Sequence, residues 1–136
     1  MFDSEKATTR RCVGARRLDE EMKRTAPLDA DEVVTAEGVV RCRTSFAFQR
    51  LAYLRVSPTR ICIVEHYAFR ADKMLEIPRS ALTGVSSGRG PWVSLDIQDA
   101  GGATDVRLRP WERLLGRIVA EPVLRVSSEE LCSLLS

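Results

Sequence analysis

The sequence predicts a mainly β fold, in which about seven short antiparallel strands form a barrel or sandwich that an amphipathic C-terminal helix closes. From Val33 to Arg109, apolar residues recur at every second position in short runs separated by turn residues, which is typical of strands with one face on a core. From Pro110 onward the apolar period becomes 3.6, the period of a helix. A chain of 136 residues with 44% hydrophobic residues can bury such a core as one domain.

Residues 1–32 differ from the rest, because they are polar and highly charged. Three apolar residues recur at helical spacing: Ala15, Leu18 and Met22. Pro27 and the acidic stretch that follows it end this pattern. Two interpretations stay open, a short helix or a solvated extension. We assign 1–32 to an N-terminal extension and 33–136 to the domain itself.

The first predicted strand runs from Gly38 to Gln49, with apolar even positions and mostly polar odd positions. Alternation of this kind places one set of side chains on the core and the other in solvent. We therefore expect six side chains of the first three strands to be buried: Val40, Cys42, Phe46, Leu54, Ile61 and Ile63. Arg41 and Arg43 should point to solvent.

Six further strands follow the first: Leu51–Val56, Ile61–Phe69, Met74–Ile77, Leu82–Ser87, Trp92–Gln98 and Ala103–Arg109. The third is rich in β-branched residues, which favour a pleated surface. Ser57–Arg60 predicts a turn because its proline presets φ. Glycines in Ser87–Pro91 and Asp99–Gly102 predict two more turns, since glycine adopts positive φ without steric cost.

The predicted closing helix spans Trp111–Ala120 and begins just after Pro110, a residue suited to the first turn. Its apolar stripe consists of Trp111, Leu114, Leu115, Ile118 and Val119. We expect this stripe to pack across one open end of the barrel. Val123–Val126 is extended, and Ser127 with Glu130 resembles a capping box that starts a last short helix.

The stretch Ala52–Val64 contains a hydrophobic strand, a turn with threonine and arginine, and a second hydrophobic strand. This resembles the second and third strands of the pleckstrin-homology superfold, in particular the bacterial PH-like and GRAM domains. Ile77-Pro78 followed by Leu82 and Val85 is similar to that family's isoleucine-proline step. The resemblance covers about Gly38 to Ala120 and implies a binding module. The N-terminal extension and the final short helix depart from the family pattern and could occupy a surface that simpler members leave free.

Catalytic and metal motifs are absent from the sequence. There is no P-loop, no G-x-S-x-G and no H-E-x-x-H. The one histidine, His66, has no second ligand at metal-binding spacing and is interpreted as a half-buried or outward strand residue. Four widely spaced cysteines, Cys12, Cys42, Cys62 and Cys132, are expected to be free thiols of a cytoplasmic protein. We predict no enzyme, no cofactor and no metal.

Arginines are the best candidates for a ligand surface. If the first hairpin is centred near Gln49, Arg43 lies opposite Arg55, and Arg41 shares the outward face. Like charges opposite each other destabilise a sheet, which an acidic partner would explain. The PH resemblance implies a basic first loop that meets phosphoinositide headgroups, and this adds Arg50. The candidate ligand-binding residues are Arg41, Arg43, Arg50 and Arg55. Alternatively, they are solvated arginines balanced by Glu65 or Glu76.

The functional expectation is a non-catalytic module for protein–protein contact or assembly. The alternative is peripheral attachment to anionic membrane lipid through the arginine face. The net charge of +2 is too small to predict nucleic-acid binding. The sequence does not indicate the partner's identity or the oligomeric state.

Overall fold

Seven strands form one antiparallel sheet in the computed structural model, which describes residues 14–43, 49–67, 71–87, 90–99, 102–110 and 124–136. The strands are β1 (Ala36–Arg43), β2 (Arg50–Val56), β3 (Arg60–Glu65), β4 (Lys73–Pro78), β5 (Leu82–Ser87), β6 (Val93–Asp99) and β7 (Gly102–Pro110). A short 3-10 helix, Arg79–Ala81, connects β4 to β5. The mainly β prediction with seven antiparallel strands is confirmed.

The strand order is β4-β3-β2-β1-β7-β6-β5, so the first strand pairs with the last at the middle of a curled sheet. β2 and β3 meet in the predicted turn, where the Ser57 amide donates to the Arg60 carbonyl at 3.0 Å. The predicted fifth strand has the observed bounds, whereas the third ends at Glu65 rather than at Phe69. The sheet therefore presents an inner face that curls around a core and an outer face.

The inner face carries the main hydrophobic core. Its buried residues include Val40, Cys42, Leu54, Ile61 and Ile63, as the alternation predicts. β6 and β7 add Val93, Leu95, Ile97, Val106 and Leu108 to the same core. Phe46, the sixth residue expected there, lies outside the described residues.

Part of the outer face is covered by helix α1, Gly14–Thr25. Leu18, Met22 and Ala26, spaced four residues apart, are fully buried, because this spacing puts them on one side of a helix. They pack against a set of outer-face residues of β1 to β3: Val39, Tyr53, Cys62 and Val64. The sheet is therefore covered by apolar packing on both faces over these three strands.

Helix α2, Ser128–Leu135, is the C-terminal helix that the structure describes. The Ser127 hydroxyl accepts a hydrogen bond from the Glu130 amide at 3.1 Å, as the predicted capping box requires. Leu131 and Leu135 are buried in the inner core. The predicted closing helix Trp111–Ala120 lies outside the described residues.

Gly38 allows the chain before α2 to cross close to β1. The Leu124 amide donates to the Val39 carbonyl at 3.1 Å. A Cβ atom at Gly38 would lie 2.6 Å from the Leu124 nitrogen, and Gly38 has a φ of +155°. Because both the space and the backbone conformation demand glycine, this position determines how the C-terminal segment approaches the inner face.

Candidate functional site

The four candidate arginines do not share one surface, because Arg50 lies on the inner face and the β1–β2 register separates Arg55 from Arg43. β1 ends at Arg43 and β2 begins at Arg50, so Arg55 faces Glu37 instead of Arg43. The alternation that led to the prediction specifies only which side of the sheet a residue occupies. A shift by an even number of residues keeps every side chain on its face and changes every partner.

Arg55 is buried beneath α1, with 2% of its surface exposed. Its Nη1 donates to the Ala26 carbonyl, just past the C-terminal end of α1, at 2.5 Å. Its Nε lies 3.7 Å from the Glu37 carboxylate. A cation placed at the carbonyl end of a helix is stabilised by the helix dipole. Arg55 therefore connects the end of α1 to the sheet. The prediction that Arg55 lies on a shared outer patch with the other arginines is wrong.

Arg50 lies on the opposite face of the sheet, at the end of the inner core. It faces Cys42 across β1 and β2, and its guanidinium carbon lies 4.4 Å from the centroid of the Tyr67 ring. Its position opposite Cys42 places Arg50 on the inner face, where its guanidinium makes a cation–π contact with Tyr67. The predicted patch of Arg43, Arg50 and Arg55 is therefore not formed.

Arg41 and Arg43 do meet other arginines, and these come from β7. Arg41 faces Arg109 and Arg43 faces Arg107 in the antiparallel register. All four side chains project from the outer face. The residues that alternate with them, Val40 and Cys42 on β1 and Val106 and Leu108 on β7, fill the inner core. We call this set, Arg41, Arg43, Arg107 and Arg109, the arginine face.

Repulsion within the Arg41–Arg109 pair affects the pKa of Arg109. Partial burial lowers the pKa of the Arg109 guanidinium, and the positive charge of Arg41 lowers it further. Arg109 also lies over the Trp92 ring, 5.4 Å from its centroid, a contact that favours the cationic form. Arg41 donates from Nη1 to the Gln49 side chain at 2.8 Å. Contacts from Trp92 and Gln49 thus orient two of the four guanidinium groups.

Sequence reasoning did not include Arg107 and Arg109 in the candidate site. No local signal pairs the first strand with the last, because that pairing forms only when the sheet closes on itself. The Arg43–Arg55 pair expected within the first hairpin is not formed, and the like-charge pairs lie between β1 and β7 instead.

A second group of polar side chains lies where the inner core ends. Glu65 is fully buried, and the Tyr67 hydroxyl donates to it at 3.4 Å. Burial raises the pKa of the Cys42 thiol, and the negative charge of Glu65 raises it further, so Cys42 is not an activated nucleophile. His66 is half-buried just after β3, with Nδ1 3.0 Å from Asp72. These contacts join the end of β3 to the start of β4 and to Arg50.

In the part of the chain that the structure describes, no three histidine, cysteine, aspartate or glutamate side chains are grouped so as to hold a metal ion. None of the described helices has the length and apolar character needed to cross a bilayer. The arginine face is the strongest candidate site, because it combines one kind of charge with a defined geometry.

No protein-family model matches this chain, and no curated protein sequence matches it. A solved structure resembles it: the C-terminal domain of an unknown protein from Leishmania infantum, with a TM-score of 0.50 and 11% sequence identity. The match covers 70% of this chain and 85% of that domain. At this identity the likeness shows the fold alone, and that fold is a mainly β, curled antiparallel sheet with a C-terminal helix.

Proposed function

We propose that this chain is a non-catalytic, cytoplasmic binding module that recognises an acidic protein partner through the arginine face. The observation that carries the proposal is the pair of directly opposed arginines, Arg41 with Arg109 and Arg43 with Arg107, on two neighbouring strands. Like charges at such positions destabilise a sheet by up to about 1 kcal/mol per pair. An anionic partner that binds between the two guanidinium groups of a pair would add favourable contacts with both of them.

Arginine is suited to this role because its planar guanidinium donates two parallel hydrogen bonds to a carboxylate. The lowered pKa of Arg109 indicates that its charge is partly desolvated, and partly desolvated charges interact more strongly with an approaching anion. Trp92 supplies an aromatic surface beside the same charge. Tryptophan and arginine are the residue types that most often dominate the energetics of protein interfaces.

The finer fold assignment belongs to this proposal. Seven antiparallel strands followed by a C-terminal helix are compatible with the PH-like fold that the Ala52–Val64 stretch resembles. In that assignment α1 is an addition, and it covers the outer face of β2 and β3. The binding surface would then lie beside α1, on β1 and β7, instead of on the loop after β1.

The decisive experiment compares three forms of the whole chain as baits for proteins from its native source. These are the parent, the double variant Arg43→Gln/Arg107→Gln, and Arg125→Gln, which removes an exposed arginine outside the arginine face. Captured proteins are quantified by mass spectrometry at low and moderate salt. We expect an acidic protein that the parent and Arg125→Gln retain and the double variant loses, with capture weakening as salt rises.

Vesicles test the membrane alternative with the same three forms. Sedimentation with vesicles that contain phosphatidylserine would support lipid attachment if the double variant no longer sedimented and Arg125→Gln still did. Arginine-dependent sedimentation without any arginine-dependent protein capture would replace the protein-partner proposal with the lipid one. Capture and sedimentation that are equal for all three forms would overturn both.

A further inference from the structure

The arginine face has a regular spacing. Its two pairs are separated by two residues along each strand, which corresponds to about 6.8 Å in an antiparallel sheet. Within each pair the two α-carbons lie about 4.5 to 5.5 Å apart. The four guanidinium groups are therefore arranged as two rungs, Arg41 with Arg109 and Arg43 with Arg107, along the direction of β1.

The rungs form a strip on β1 and β7, beside α1. On one side, α1 covers the outer face of β2 and β3 and packs on Val39 of β1. On the other side lies β6, where Ser94 faces Arg107 and the exposed Asp96 lies two residues further along the strand. Two neighbouring strands are about 4.8 Å apart, whereas a helix with its side chains is about 10 to 12 Å wide. An extended chain can follow this strip along its length, because its residues repeat at the same spacing as those of β1 and β7.

We propose that the partner segment is an extended acidic peptide with carboxylates at alternate positions, so that one carboxylate meets each rung. Same-side residues of an extended chain repeat every two residues, at about the 6.8 Å that separates the rungs. Each carboxylate then lies between two guanidinium groups, which can donate to both of its oxygens. This inference rests on the proposed function, since it specifies the shape and pattern of the partner of that same surface.

Synthetic peptides test the pattern directly. Three peptides of equal length and charge are compared: one with two aspartates at i and i+2 in an extended background, one with the two aspartates adjacent, and one helical with them at i and i+4. Binding is followed through the fluorescence of Trp92, which contacts Arg109, with Trp92→Phe as the control for the signal. We expect the alternating peptide to bind at least fivefold more tightly than either of the others.

A double-mutant cycle tests which aspartate of the peptide contacts which arginine pair. In the alternating peptide each aspartate is replaced in turn by asparagine, and each replacement is combined with Arg41→Gln or Arg43→Gln. We expect each aspartate to couple to one rung and not to the other. The Arg125→Gln form, altered outside the strip, should bind all peptides as the parent does.

The outcomes separate this inference from the proposed function. If all three peptides bind equally and Arg43→Gln weakens each to the same degree, the arginine face binds acidic ligands but the alternating pattern is overturned. A helical peptide that binds as tightly as the alternating one overturns the extended shape. If no peptide binds and the native-source capture also shows no dependence on the arginines, the proposed function itself fails.

Discussion

Glu32 and Arg60 form a two-point ion pair, with Nη2 of Arg60 2.7 Å from Oε1 of Glu32 and Nε 2.9 Å from Oε2. Only 2% of the Glu32 side chain is exposed. The Ser57 hydroxyl donates to the same carboxylate at 2.7 Å, and Arg60 also donates to the Pro27 carbonyl at 2.8 Å. This network of hydrogen bonds connects the segment after α1, which contains Pro27 and Glu32, to the β2–β3 turn.

The first prediction concerns the acid sensitivity of this pair. Hydrogen bonding to Arg60 lowers the pKa of Glu32 from 4.5 to about 2, although burial opposes the shift. A carboxyl whose pKa is lower in the folded state stabilises the protein above its unfolded pKa, and this stabilisation is lost as pH falls from about 4.5 to about 2. Glu32→Gln should therefore reduce the free energy of unfolding at pH 7 by roughly 2 to 3 kcal/mol.

Urea denaturation at pH 7, 5 and 3 measures this effect. The difference between the parent and Glu32→Gln should be largest at pH 7 and should shrink at pH 3. Glu20→Gln, which alters an exposed residue of α1, should follow the parent. A constant difference at all three pH values would contradict the role of ionised Glu32.

The second prediction concerns Arg55. The sequence predicted it on an outward-facing arginine patch, but it is buried against Ala26 and Glu37. Arg55→Glu would bury a carboxylate beside a helix carbonyl and another carboxylate, at a cost of about 3 to 5 kcal/mol. Thermal unfolding should show a much lower Tm than for Arg125→Glu, which reverses an exposed charge. Equal Tm values for these two variants would contradict the buried position.

The third prediction separates stability from binding at the arginine face. Arg107→Glu gives the Arg43–Arg107 pair opposite charges, which should change the free energy of unfolding by no more than about 1 kcal/mol. The same change should weaken binding of an acidic partner. Chemical denaturation and the peptide titration measure the two effects independently. A variant that loses both stability and binding would show that Arg107 is needed for the fold itself.

The fourth prediction compares two glycines with positive φ. Gly38→Ala introduces a Cβ only 2.6 Å from the Leu124 nitrogen, whereas a Cβ at Gly90, φ +64°, meets nothing within 4 Å. Gly90→Ala should therefore cost only the backbone term of about 1 to 2 kcal/mol, and Gly38→Ala should cost more because Leu124 must also move. The difference is measured by urea denaturation. A smaller loss for Gly38→Ala would argue against the close crossing of the C-terminal segment.

The fifth prediction concerns thiol reactivity. Cys42 and Cys62 are buried and Cys132 is half-buried, while Cys12 lies outside the described residues. Burial raises the pKa of the Cys42 and Cys62 thiols and also limits reagent access. A thiol reagent should therefore modify Cys132 rapidly and Cys42 and Cys62 only as the protein unfolds. Cys132→Ser should remove one equivalent from the fast phase, and four thiols should react after denaturation without a reductant. Fewer than four would reveal a disulfide.

Local pattern in the sequence was enough to predict several features of this fold. Alternation identified the buried positions Val40, Cys42, Leu54, Ile61 and Ile63, because side chains of a strand alternate between faces whatever the strand pairs with. The start of α2 was predicted at Ser127 and Glu130, since a helix cap involves residues only three apart. The Ser57–Arg60 turn is equally local. Each of these features depends on neighbours in the chain.

Only the tertiary structure decided which residues meet across strands and what covers each face. Alternation is unchanged by a shift of two, four or six residues, so it could not place Arg55 opposite Glu37. Arg41 faces Arg109 and Arg43 faces Arg107 only because the sheet brings its first and last strands together. The burial of Tyr53 requires α1 to pack on the outer face. Such contacts join residues far apart in sequence, and they are selected by the burial of apolar surface over the whole chain.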